Sequence, residues 1–159
     1  QAKMKLTYNQ VIKALNDFAD AHLEIETFGN GDLWEAVQHN QLGNFQYPLL
    51  WVVDKPATVG DKVFTWNFQV IYIDIVRKDE ANENDVKSDA VQVLIDLIAY
   101  FEQRYLVNTV GVKWAQVQLV RGGTVELFSE RFEDDLSGAS ISLGLRFPQI
   151  YNECVIPKT

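Results

Sequence analysis

Residues 63–76 constrain the fold more than any other stretch of the chain. Phe64, Trp66, Phe68, Val70 and Tyr72 alternate with Thr65, Asn67 and Gln69, which is the period of a strand with one buried face. Toward the C-terminal end the other face turns apolar as well, through Ile71, Ile73 and Ile75. A strand that is apolar on both faces needs cover on both sides, so this one is predicted to lie inside a sheet.

The rest of the pattern supplies the partners of that strand. Thr7-Tyr8-Asn9-Gln10 has capping-box spacing, and Val11, Ile12, Leu15, Phe18 and Ala19 follow at helical spacing, which predicts a helix over 8–22. A second helix is predicted over 85–105, with Ala90, Val91, Leu94, Leu97, Ile98, Phe101 and Tyr105 on one face. At about 1.5 Å per residue it is long enough to cross a whole sheet. Leu23 to Phe28 reads as a short strand ended by Gly29-Asn30-Gly31, and Asp32 as the cap of a short helix through Leu33, Trp34, Ala36 and Val37. Leu49 to Val53, after Pro48, reads as a buried strand, and 54–61, with Pro56 and Gly60, as a turn. Trp114 to Val120 and Val125 to Phe132 read as strands joined by a tight turn at Gly122-Gly123. Strands joined by short turns, with two long helices, predict an α+β fold: an antiparallel or mixed sheet of about four to six strands with both helices on one face.

A length of 159 residues suits one domain with a core of its own. That domain is expected over 4–148, with Gln1-Ala2-Lys3 a cloning remnant before a start at Met4, and 149–159 a loose tail. The polar 77–85 segment, with Asp79, Glu80, Glu83 and Asp85, reads as an exposed loop. A formal charge of −8 speaks against gripping nucleic acid by its phosphates, which takes clustered Lys and Arg. The single cysteine, Cys154, cannot close an internal disulfide, and no apolar run approaches the roughly 20 residues of a membrane span.

No catalytic constellation stands out, and neither an enzyme nor a bound cofactor is expected. His39 lies among Gln38, Asn40 and Gln41, which offer no metal-ligand spacing around the two histidines. Gly29-Asn30-Gly31 lacks the glycine and lysine of a phosphate-cradling loop, and Ser137 lacks a nucleophile-elbow pattern. Near the C-terminus a cassette stands apart: Glu130-Arg131-Phe132-Glu133-Asp134-Asp135-Leu136-Ser137-Gly138-Ala139, leading into Ile141, Leu143, Leu145 and Phe147. It reads as an acidic turn closed by Ser-Gly and followed by a period-two strand. Its carboxylates lack an obvious internal partner; Arg131 and Arg146 are the cations placed to neutralise them, within the hairpin or across a subunit boundary. Four Trp, six Tyr and nine Phe are generous for this length, and such residues concentrate where protein surfaces meet. Trp66 and Trp114 fit the core. Glu130, Arg131, Asp134, Asp135, Trp34 and Trp51 are the candidate contacts with another chain; Trp34 and Trp51 suit that role better than the other two tryptophans, though core is still the first reading for each.

In element order, and best in Phe132, Asp134, Leu136 and Gly138 with the strand to Phe147, the chain resembles the tail-terminator or tail-completion proteins of long-tailed bacteriophages. The resemblance implies a structural virion protein that forms a ring, commonly a hexamer, at the head-proximal end of the tail. Its partners would be further copies of itself, the tail tube protein and the head connector protein, with DNA passing through the lumen unbound and no membrane. It would assemble in the host cytoplasm and reside at the tail–neck junction. An acidic lumen would repel DNA phosphates and let the genome slide. The alternative reading is a non-viral interaction domain, or a small-ligand binder that uses the aromatic strand face as a pocket wall.

Overall fold

The computed structural model describes residues 6–31, 47–76, 82–104, 114–120, 123–131, 135–149 and 151. Helix α1 (Tyr8–Ala21) starts as its sequence predicts. The Gln10 N–H donates to the Thr7 hydroxyl at 3.3 Å, and the Thr7 N–H donates back to Gln10 Oε1 at 2.8 Å. Two donors at a helix start that otherwise lack partners are thereby satisfied. Val11, Ala14, Leu15, Phe18 and Ala19 form the buried stripe. Helix α2 (Glu83–Glu102) opens with Glu83 and Asp85 in its first turn, at the positive end of the helix dipole. It buries Val86, Ala90, Val93, Leu94, Leu97 and Phe101.

The described strands are β1 (Thr27–Asn30), β2 (Leu49–Gly60), β3 (Val63–Ile75), β4 (Gln118–Leu119), β5 (Val125–Arg131) and β6 (Asp135–Pro148). They form one mixed sheet in the order β1-β2-β3-β6-β4, with β5 also on β6. Only β1 and β2 are parallel among these pairs; the others are antiparallel. β3 pairs with β6 from Val63 opposite Pro148 to Ile75 opposite Leu136, which makes the two the centre of the sheet. The fold is α+β, as the sequence predicts.

The alternation in β3 divides the molecule into two apolar layers. Phe68, Val70 and Tyr72 pack with Leu50, Val52, Ala139, Ile141, Leu143, Leu145 and Phe147 beneath both helices, in one core that includes Leu15, Phe18, Leu94, Leu97 and Phe101. The opposite face carries a smaller cluster of Leu49, Trp51, Ile71, Ile73 and Leu136. Ile71 and Ile73 are buried there as expected, while Ile75 at the strand end stays 42 % exposed.

Several local expectations are corrected. The hairpin expected at Gly122-Gly123 is not formed by β4 and β5, because both run antiparallel to the same strand, β6. They are two pieces of one interrupted edge strand, and the facing residue shifts by two between Leu119 opposite Leu145 and Val125 opposite Ile141. A glycine pair signals a bulge as readily as a hairpin. Of the strand expected over 114–120, only Gln118–Leu119 pairs; Trp114–Gln116 is a 3-10 turn that buries the Trp114 ring beside Phe101. Ser137 and Gly138 lie inside β6, so the reversal after β5 falls between Arg131 and Asp135.

The turn expected over 54–61 is mostly strand. β2 runs on to Gly60, with a register break between Lys55 and Thr58 that accommodates Pro56, and the chain reverses at Asp61-Lys62, where Lys62 has φ 58°. Gly29 belongs to β1 rather than ending it: a Cβ there would sit 2.3 Å from the Trp51 ring, so only glycine fits. Two residues of the tail expected over 149–159 are described, and both are held: the Gln149 N–H donates to the Lys62 carbonyl at 2.9 Å and the Tyr151 hydroxyl to the Val63 carbonyl. The short helix at 33–37, the start of the 77–85 loop and residues 1–3 lie outside the described residues.

Candidate assembly surface

The residues expected to contact other chains do not form one patch. Trp34 and Asp134 lie outside the described residues. Trp51 is 4 % exposed, and its indole N–H donates to the Gly31 carbonyl at 3.3 Å. It belongs to the second core cluster, the first reading for it, and offers a neighbouring chain no free ring face. Glu130, Arg131 and Asp135 do come together at the β5–β6 hairpin, where Glu130 faces Leu136 and Arg131 faces Asp135. Arg146 does not join them. It lies eleven residues along β6 from Asp135, about 36 Å away at roughly 3.3 Å per residue, and its Nη2 donates to Gln118 Oε1 at 3.1 Å.

What the tertiary structure offers instead is an edge. β4 and β5 both hydrogen-bond to β6, and among the described residues no strand covers their far side. Val125 and Leu127 face Ile141 and Ala139, which puts them on the helix-bearing side of the sheet. Leu127 is 54 % exposed there, Val125 and Val120 are also exposed, and Ile95 on α2 is 52 % exposed. An uncovered edge strand with apolar side chains beside it readily accepts another chain. The hairpin end of this edge is held in place: the Ser129 hydroxyl donates to Glu83 Oε1 at 2.5 Å, and the buried Ser137 hydroxyl to the Phe128 carbonyl at 3.0 Å.

The opposite edge of the sheet differs in shape and composition. There β1 covers only Leu49 to Val52, which leaves Asp54 to Gly60 uncovered among the described residues, with exposed Val59. Among the described residues, one sheet thus ends in two unlike open edges.

At the end of β6 remote from the hairpin, a groove of about 590 Å³ runs between α2 and β4, lined by Phe101, Glu102, Val117, Gln118, Val120 and Arg146, among others. Next to it the Arg104 guanidinium lies against Tyr100 and Trp114, at 4.9 Å and 5.0 Å from the two ring centres.

Several groups that could perform chemistry are held in structural contacts instead. His22 Nε2 lies 2.8 Å from Asp96 Oδ2, and its Nδ1 accepts the Glu24 N–H at 3.2 Å, which ties the end of α1 to α2. The Tyr8 hydroxyl donates to Asp54 at 2.8 Å; burial raises the pKa of that phenol, and the bond to Asp54 raises it further. Burial likewise pushes the Tyr72 phenol far up and lifts the Asp74 carboxyl above the usual carboxylate range. Among the described residues no three His, Cys, Asp or Glu side chains converge as a metal site, and no helix is long and apolar enough to cross a membrane. Sequence reasoning missed the open β4–β5 edge; the exposed period-two pair Val125 and Leu127 was its available signal. No protein-family model matches the chain, and no curated protein matches it significantly.

Proposed function

We propose that this chain is a structural protein of a bacteriophage tail, which joins copies of itself into a ring at the head-proximal end, ends the tube and connects it to the head. The observation that supports this reading is the pair of unlike edges that the described residues leave open on one sheet. Contact between unlike edges is head-to-tail, and head-to-tail contacts close into a ring when the rotation between neighbours divides a full turn. The anchored β5–β6 hairpin, with its acidic residues, stands at the corner of one such edge, where a neighbour or the tube would meet it. Six copies, each with a formal charge of −8, would surround the DNA path with like charge and keep the genome from sticking.

The test is tube capping. Tail tube protein is polymerised with and without this chain, and tube length and end structure are read by electron microscopy. Tubes of limited length with a ring at one end are the expected result. Reversing Asp134 and Asp135 together should abolish capping while leaving folding stability within about 0.5 kcal/mol. Tubes that grow unchanged at saturating concentrations of the unmodified chain would overturn the proposal. Monomers in dilute solution would not, because the ring would form on the tube that templates it.

A further inference from the structure

Arg104 follows the C-terminal end of α2, and Trp114 opens the 3-10 turn that leads into β4. Contact with the two rings holds the guanidinium in place while its N–H groups still need acceptors. One of them has none. Arg104 Nε is buried without a hydrogen-bond partner, and so is Nε1 of Trp114, a residue only 3 % exposed. Three ion pairs among the described residues, Lys13–Asp17, His22–Asp96 and Lys87–Glu83, leave Arg104 out. Buried donors are almost always paired, and a neutral indole N–H beside a cationic guanidinium N–H calls for an acceptor that carries negative charge.

We infer that Arg104 and Trp114 form a receptor for a carboxylate group, with one oxygen on the guanidinium and the other on the indole N–H. The chemistry favours a carboxylate over a phosphate. The two donors are one cationic guanidinium N–H and one neutral indole N–H, and Lys13, whose charge also reaches Tyr100, is paired with Asp17 at 2.9 Å. That set matches a single negative charge shared by two oxygens. A protein carboxylate and a small free carboxylate satisfy it equally. If the source is protein, the acidic β5–β6 turn of a second copy is suited to it, since a chain's own turn lies at the other end of β6. That source rests on the assembly proposed above; the site itself does not.

The experiment follows the indole N–H resonances of ¹⁵N-labelled protein, with Trp114 assigned by the signal that disappears in Trp114→Phe. Sodium acetate is titrated against sodium chloride at equal ionic strength, followed by a synthetic peptide with the sequence of residues 129–138. The Trp114 signal should move downfield and saturate with carboxylate but not with chloride. Arg104→Gln should weaken that binding about tenfold or more, with the other three indole signals in place as a check on folding. Arg104→Lys, which keeps the charge but loses the Nε–H and the planar face, should weaken it similarly. Peptide binding tighter than acetate assigns the site to a protein carboxylate, and equal binding assigns it to a small one. A Trp114 signal indifferent to carboxylate, or equal affinity in Arg104→Gln, would overturn the inference. Tube capping that fails while the acetate response stands would remove the assembly reading and leave the site.

Discussion

Gly138 passes so close beneath Tyr72 that a Cβ at this position would lie 1.8 Å from the Tyr72 carbonyl oxygen. The contact joins the two central strands, since Gly138 stands opposite Ile73 in the β3–β6 ladder. The neighbour in the way is backbone, and it cannot swing aside as a flexible side chain could. Gly138→Ala is therefore expected to destabilise the protein by about 3 kcal/mol or more, at or beyond the upper end for overpacking, or to prevent folding. Urea melts read by tryptophan fluorescence check this; a loss below about 1 kcal/mol would mean that β3 and β6 separate more easily than the ladder implies.

Leu97 is fully buried between α2 and the sheet, in the same core as Leu15 and Phe18 of α1. Leu97→Ala should cost roughly 2–5 kcal/mol, the range for truncating a buried leucine. A loss under about 0.5 kcal/mol in denaturant melts would contradict the packing of α2 on the sheet.

Asp74 gives a pH dependence with a defined sign. Burial holds its carboxyl above the ordinary value of 3.8, opposed by the Ile75 N–H it accepts and assisted by the negative charge of Asp89. The folded state thus holds this proton more tightly than the unfolded chain. Its contribution to stability is full below about pH 3.8 and is lost as pH rises through the raised folded value. Asp74→Asn keeps the acceptor for Ile75 without the buried charge, so it should be more stable than the parent at neutral pH. That advantage should shrink toward zero below the ordinary carboxylate value. Melts from pH 3 to pH 7 test it, and a constant difference across the series would exclude Asp74 as its source.

The open edge predicts a separation of stability from assembly. Val125 and Leu127 are exposed in the single chain, so replacing both by lysine should change folding stability by no more than about 0.5 kcal/mol per site. Charges on an edge strand discourage added strands, so the same double variant should fail to self-associate on tail tubes. Sedimentation with tube protein measures it; unchanged co-assembly would take this edge out of the interface.

The sequence alone determined those parts of the protein whose rules are local. The Thr7–Gln10 capping box acts within one helical turn, and the buried stripes of both helices follow from helical period, so their positions were legible to within a few residues. The two-faced apolar pattern of 63–76 dictated an interior strand, and β3 lies between β2 and β6 with its two faces in different clusters.

What only the tertiary structure decided were relations between distant segments. The parallel pairing of β1 with β2 and the shared direction of β4 and β5 depend on which strand lies alongside, and Gly122-Gly123 is compatible with either a reversal or a bulge. Trp51 has the same local pattern whether it meets a second chain or its own core; the close approach of Gly29 placed it in the core. Arg104 and Trp114 belong to different elements and share no period, so the guanidinium meets the indole ring only because the end of α2 packs beside the 3-10 turn. Local periodicity fixes which face of an element is apolar, whereas the partner that covers it is settled by the packing of the whole chain.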